Sequence, residues 1–289
     1  MGPAPGGSTP GDRAPPEDAA IIPHPTSSLV VATYNWAEAL AAVFASVRNQ
    51  LVLPTEVIVA DDGSGDPTRR VIEAAAADFP CPIAHVWHPD EGFKLAQIRN
   101  KAVARARGSY VIQIDGDMLL HPAFVRDHLD AAAPGHFMGG SRALLSPEAS
   151  RAVLAGGPLP GPLGRGVRNR FNALHLAPLG RALAPIVPAR DPMRVRGGNM
   201  AFWREDFIAV NGYDEAFVGW GREDTDLVLR LQRHGLRRRW FKLRGVAYHL
   251  HHREASRDAL GRNDGILEAA LASGRRRCDA GIDQWLCAS

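Results

Sequence analysis

The N-terminal half alternates short apolar β-branched runs with helix-patterned segments, and few folds can absorb that order. Residues 28–32 read as a strand, after which Leu40, Val43, Phe44 and Val47 recur at helical spacing. Residues 56–60 form a second strand, followed by a helix carrying Val71 and Ile72. A third strand runs from Ile83 to Trp87, and the next helix has an inner stripe of Leu95, Ile98 and Ala102. Val111, Ile112 and Ile114 then mark a fourth, buried strand. This order predicts an α/β fold: a Rossmann-like, mostly parallel sheet flanked by helices and joined by right-handed crossovers. In such sheets ligands lie beyond the carboxyl ends of the strands.

Two acidic turns stand at those ends, Asp61-Asp62-Gly63-Ser64 and Asp115-Gly116-Asp117. Carboxylates two residues apart can share one hard divalent cation. Mg²⁺ or Mn²⁺ takes oxygen ligands and keeps positions open for phosphate oxygens. Either turn alone reads equally as a polar cap. Near the start of the third helix, Arg99, Asn100 and Lys101 place cationic and amide groups where a phosphate beside the metal would lie.

The second half carries three more dense stretches. In the run 196–203, Gly197, Gly198 and Asn199 lead into a strand from Met200 to Trp203, and the glycines permit close backbone approach to a ligand. In the run 217–226, Trp220 stands between Gly219 and Gly221, ahead of Glu223, Asp224 and Asp226. Acids in a first helical turn suit the helix dipole. An aromatic plate beside carboxylates also suits a sugar, whose ring stacks while its hydroxyls donate. Finally, a strand over 245–248 delivers His249, His251 and His252, and strict alternation would aim His249 and His251 the same way.

Composition bounds the rest. With 289 residues, 45% hydrophobic, the chain can bury one large core or two small ones. A net charge of +3 selects no nucleic acid. Three scattered cysteines and the lack of a long apolar run or signal-peptide layout predict a reduced, cytoplasmic setting. The expected organisation is a disordered arm over 1–25, a first half over 26–137 and a second half over 197–255. Between the halves lies a long basic insertion over 138–196, with nine arginines against two acids. It reads as a lid, as a patch meeting an anionic acceptor or membrane surface, or as a solvated loop. The tail, 256–289, reads as helical through Leu271 and without assignable chemistry.

Taken in order, A-T-Y-N, V-I-V-A-D-D-G-S, G-F-K-L-A-Q-I-R-N-K-A, D-G-D, R-G-G-N-M-A-F, G-W-G-R-E-D-T-D and Y-H-L-H-H resemble the family 2 glycosyltransferases. The likeness is to bacterial chondroitin and hyaluronan polymerase modules, and the second half is similar to the galactosyltransferase C-terminal domain. The resemblance implies a GT-A fold in which a nucleotide-sugar-binding half merges with an acceptor-binding half. It implies donor contacts from Thr33, Asn35, Asp62, Lys94, Asn100 and Asp115, and acceptor contacts from Gly198, Asn199, Trp220 and Gly221. It implies Mn²⁺ or Mg²⁺ on Asp115, Asp117 and His249, with His251 the less favoured histidine. Asp224 matches the general base and Glu223 an acceptor-hydroxyl ligand. Arg222 departs from the family, where many relatives have Gly.

The implied activity is inverting transfer from a UDP-sugar to a hydroxyl of a glycan or lipid-linked acceptor; the arginines of 142–196 suggest peripheral contact at the inner face of a membrane, and no nucleic-acid partner is expected. Three rivals were weighed. A sugar-phosphate nucleotidylyltransferase needs a Gly-rich phosphate loop that A-T-Y-N-W-A-E does not offer. A non-catalytic nucleotide-sugar-binding module leaves Glu223 and Asp224 beside Trp220 unexplained. A nucleic-acid binder would want aromatics interleaved with the arginines.

Overall fold

The structure is a computed structural model, and it describes residues 2, 24–187, 195–253 and 256–286. The N-terminal arm expected over 1–25 falls almost wholly outside the described residues.

The first half follows the strand–helix order of the sequence: β1 (Ser27–Thr33), α1 (Ala37–Arg48), β2 (Glu56–Asp61), α2 (Asp66–Ala76), β3 (Ile83–Trp87), α3 (Leu95–Arg105) and β4 (Tyr110–Asp115). Parallel pairing sets β1 between β2 and β4, with β3 outside β2. β1, β2 and β4 are buried on both faces, so their apolar residues run nearly unbroken instead of alternating with polar ones. Leu29, Val31, Val57, Val59, Ile112 and Ile114 pack on Leu40, Val43, Phe44 and Ile72 of α1 and α2. Val30, Ala32, Ile58 and Ala60 face the other way, onto Ile98 and Ala102 of α3.

Beyond β4 the chain makes β5 (Met118–Leu120), α4 (Phe124–Ala131), β6 (His136–Gly139), β7 (Ala143–Leu145), α5 (Pro147–Leu154) and β8 (Val167–Arg168). A 3₁₀ turn (Arg170–Ala173) and α6 (Ala177–Leu183) follow. Then come β9 (Asn199–Trp203), α7 (Arg204–Ala209), α8 (Glu223–Arg233), β10 (Arg237–Arg239), β11 (Ala247–His249), α9 (Leu260–Ser273) and α10 (Asp283–Leu286). The main sheet has the order β10-β6-β9-β4-β1-β2-β3, and a second has β5-β11-β7-β8. β9 runs antiparallel to both β4 and β6. The sheet is therefore mostly parallel, as expected.

The stretch 138–196 departs from the expected loop. It contributes β7, β8 and α5, and its strands close the second sheet against β11. These strands are two or three residues long. Their order comes from pairing partners distant in sequence, which local periodicity cannot display.

Candidate active site

The Asp-Gly-Asp turn is the hinge between the two sheets: β4 ends at Asp115 in one, and β5 begins at Met118 in the other. Its carboxylates consequently point into different surroundings.

Asp115 faces Arg99. That arginine sits on α3, is 1% exposed, and donates from Nη2 to Asp115 Oδ1 at 2.8 Å and from Nη1 to Asp224 Oδ1 at 3.1 Å. Glu223 Oε1 lies 3.9 Å from the same nitrogen. Tyr213 supports the clamp, with its ring 5.3 Å below the guanidinium and its hydroxyl donating to Asp224 at 3.2 Å. The Gly197 N–H adds a third donor to Asp224, at 2.6 Å. A Cβ at Gly197 would stand 2.1 Å from Asp224 Oδ1, and one at Gly198 would stand 2.2 Å from Asp115 Oδ2. The paired glycines therefore admit the chain's own carboxylates.

Three carboxylates thus share one buried cation. Burial and the neighbouring charge of Asp224 push Glu223 up to about 8, and its Oε2 is buried without a hydrogen-bond partner. Burial likewise raises Asp115, against the pull of Arg99. The site relieves its excess negative charge by holding a proton on Glu223 at neutral pH.

Asp117 faces the histidines at the end of β11. Its Oδ2 lies 3.0 Å from His252 Nε2 and 3.4 Å from His249 Nε2, while Oδ1 is buried without a partner. Burial holds His249 down to about 4, so its ring is neutral, whereas the Asp117 hydrogen bond raises His252. Among the described residues Asp117, His249 and His252 form a group able to hold a metal ion. The expected set of Asp115, Asp117 and His249 is corrected in two places. Asp115 pairs with Arg99, and the histidine joining His249 is His252, which is exposed like its neighbour His251. Alternation fails because β11 ends at His249, so the next residues no longer follow a strand's period.

The donor-side residues gather where β1 and β2 end. Thr33 closes β1, and its carbonyl accepts from the Asp62 N–H at 3.0 Å. Asn35 adopts φ 47°, and its Oδ1 accepts from the Gly65 N–H at 3.0 Å. Asp62 bonds His88 at 2.7 Å and accepts from the backbone N–H of Lys94 at 2.9 Å. The Lys94 ammonium pairs with Glu91. Asn100 corrects an expectation: it is fully buried, donating to Tyr213 O and Glu215 and accepting from Tyr213 N–H at 2.8 Å, so its amide clamps a loop. Asn199 is similarly enclosed, held by Ser141 O, Gly245 O and His128.

Trp220 is 38% exposed at the front of α8, with the Arg257 guanidinium 5.2 Å from its ring centre. Gly219 and Gly221 take positive φ around it, and Asn263 of α9 pins their loop by donating to Val218 O and Gly221 O. The tail, without chemistry in the sequence, thus anchors the loop that presents Trp220. Arg222 has φ 79°, a left-handed conformation that explains the family's preference for Gly there, and its Nε meets Asp264 at 2.5 Å.

Residues 28–150 match the profile of glycosyl transferase family 2, and residues 178–253 match one described as the N-terminal domain of galactosyltransferase. The chain has the GT-A fold, and its first half is similar to glycosyl transferase family 2 over residues 28–150. Chondroitin synthase of Escherichia coli is 26% identical over 226 residues, covering 72% of this chain and 32% of that protein. Validoxylamine A glucosyltransferase of Streptomyces hygroscopicus subsp. limoneus is 29% identical over 224 residues, covering 73% of this chain and 49% of its own length. The chain therefore spans about a third and about half of these relatives. Among solved structures, the mannosyltransferase PcManGT from Pyrobaculum calidifontis, in complex with GDP-Man and Mn²⁺, shares the fold with a TM-score of 0.58. It is 21% identical and covers 92% of this chain and 69% of that one.

Proposed function

We propose that the chain is an inverting, cation-assisted glycosyltransferase moving sugar from a UDP-sugar to a hydroxyl of a glycan or lipid-linked acceptor. The observation that carries this reading is one turn with two outlooks: Asp117 toward His249 and His252, Asp115 toward the Arg99 that also holds Asp224. A donor diphosphate and an acceptor hydroxyl would meet across that turn.

One carboxylate and two imidazoles, with an orphaned Asp117 oxygen, fit Mn²⁺ better than Mg²⁺, which favours an all-oxygen shell. Bound there, the cation would neutralise the leaving diphosphate. Thr33, Asn35 and Asp62 would contact the nucleoside and Lys94 would stand near it, with Asp115 against the ribose. Asp224 would take the acceptor proton, oriented by Arg99, Tyr213 and the Gly197 N–H; such assistance contributes on the order of 10²–10⁴ in rate. Glu223, protonated at neutral pH, would hydrogen-bond the acceptor, and Trp220 would form its wall.

The test is nucleotide release from a panel of UDP- and GDP-sugars with Mn²⁺, followed with the purified chain. Turnover of one UDP-sugar, enhanced by an acceptor glycan, is the expected result. Folded protein that neither binds nor turns over any donor would overturn the reading.

A further inference from the structure

The segment from Leu163 to Ile186 turns large apolar side chains outward. Phe171 is 85% exposed, Leu163 84%, Ile186 74%, Leu179 49% and Leu176 48%. Ala177, Gly180 and Ala184 form the buried side of α6 and its C-cap. At about 100° per residue Leu179 and Ile186 fall opposite that side, with Leu176 and Leu183 on its flank. The chain keeps turning past the helix end, since the Val187 N–H donates to Leu183 O at 3.0 Å. α6 therefore shows solvent an apolar stripe.

Cations accompany it. Glu148 is the only acid between residues 138 and 187, and Arg151 answers it at 3.4 Å. Arg165, Arg168 and Arg170 are exposed and meet no carboxylate among the described residues. An apolar helical stripe that follows exposed arginines along the chain is the pattern of a segment lying in a lipid interface. A second copy of the chain would set this positive patch against itself. An acidic glycan would answer the arginines and leave Phe171, Leu179 and Ile186 in water. No helix among the described residues is long and apolar enough to cross a membrane, so contact through these helices is at the surface.

We propose that residues 163–186 dock the chain onto an anionic lipid surface, with Leu179 and Ile186 entering the interface and Arg165, Arg168 and Arg170 meeting the headgroups. This deepens the transferase reading by bringing the site to a lipid-linked acceptor. It rests on that reading for its purpose and not for its test.

The experiment is co-sedimentation of the full chain with vesicles of phosphatidylcholine, alone or with about one-third phosphatidylglycerol, at low and high salt. Binding only to the anionic vesicles, weakened by salt, is expected. The triple variant R165Q/R168Q/R170Q should bind roughly a hundredfold more weakly, at about fivefold per cation. L179S/I186S should lose about tenfold or more, with an unchanged circular-dichroism spectrum. Wild-type protein that ignores anionic vesicles, or variants that bind as well as wild type, would overturn the proposal. So would light scattering that shows a dimer abolished by L179S/I186S while vesicle affinity stays put. UDP release from soluble donor, measured alongside, should not change in either variant. Vesicle binding as expected from a chain that turns over no donor would leave docking standing and remove the transferase reading.

Discussion

Arg99 donates to Asp224 at 3.1 Å across a separation of 125 residues, tying the family 2 half to the start of α8. Its other terminal nitrogen holds Asp115, so one buried cation sets the spacing of the donor-side and acceptor-side carboxylates. Removing it leaves three acids facing one another. Arg99→Met should cost about 2–4 kcal/mol, since two of those carboxylates keep some exposure and the loss falls below that of a fully buried pair. Arg99→Lys keeps the charge without the fork, so it should fold better than the Met variant yet lose most turnover. Thermal melts with matched kinetics check both. A Met variant as stable and active as wild type would remove the clamp.

Glu223 should impose a pH dependence on stability. Its folded pKa, about 8, lies above the ordinary 4.5, so the folded state binds the proton more tightly. The contribution is fully present below about pH 4.5 and is lost as pH rises through about 8. Urea midpoints should therefore fall across that window. Glu223→Gln, which keeps the neutral shape, should flatten the fall, with a remainder from Asp115, also raised. Parallel curves for the two proteins would contradict the assignment.

The alternation of β1 to β4 with α1 to α3 was legible because doubly covered strands and amphipathic helices write their periods locally. The second sheet was not, because β7 acquires order only against β11, and β8 only against β7. Arg99 reads in sequence as a cation near a helix start. Only the packing of α3 against β1 and β2 turns it inward, toward Asp115 and Asp224. Arg275 of the tail was equally silent, although it pairs with Asp214 at 2.5 Å and Asp226 at 3.2 Å beneath α8. His252 was missed because period two was carried two residues past the strand. Counting from His249 in the i, i+3 spacing of a turn finds it.

The histidines can be separated by ligand-linked stability. Mn²⁺ should raise the melting temperature of the wild-type chain, since a ligand of the folded state stabilises it by mass action. Asp117→Ala should abolish the shift, and His252→Ala should weaken Mn²⁺ binding about tenfold or more. His251→Ala should leave it intact, because His251 stands outside the Asp117, His249 and His252 group, its backbone N–H donating to Ser150 at 2.8 Å. Mg²⁺ should be the weaker ion throughout. A full Mn²⁺ shift in His252→Ala together with its loss in His251→Ala would restore the strand-alternation reading.

Asp224 and Glu223 are neighbours at the start of α8, so their side chains diverge by about 100° and cannot aim at one proton. Their settings differ too. Asp224 accepts from Arg99, Tyr213 and Gly197, which fixes its orientation, while Glu223 keeps an oxygen without a partner. If Asp224 removes the acceptor proton, Asp224→Asn keeps the shape and loses the base, and kcat should fall by roughly 10²-fold or more. Donor affinity should hold, because Asp62 and the Asp117 cluster are untouched. Glu223→Gln should instead raise acceptor KM with a milder loss of kcat, the signature of an interaction made in the ground state as well. Asp224→Asn also leaves the Gly197 N–H and the Tyr213 hydroxyl facing an amide, so a melt and a UDP titration must accompany the rates. Asp224→Asn that binds donor, melts normally and turns over near the wild-type rate would move the base to another group. Glu223 would then be the residue to test, since a group with a pKa of about 8 releases its proton just above neutrality.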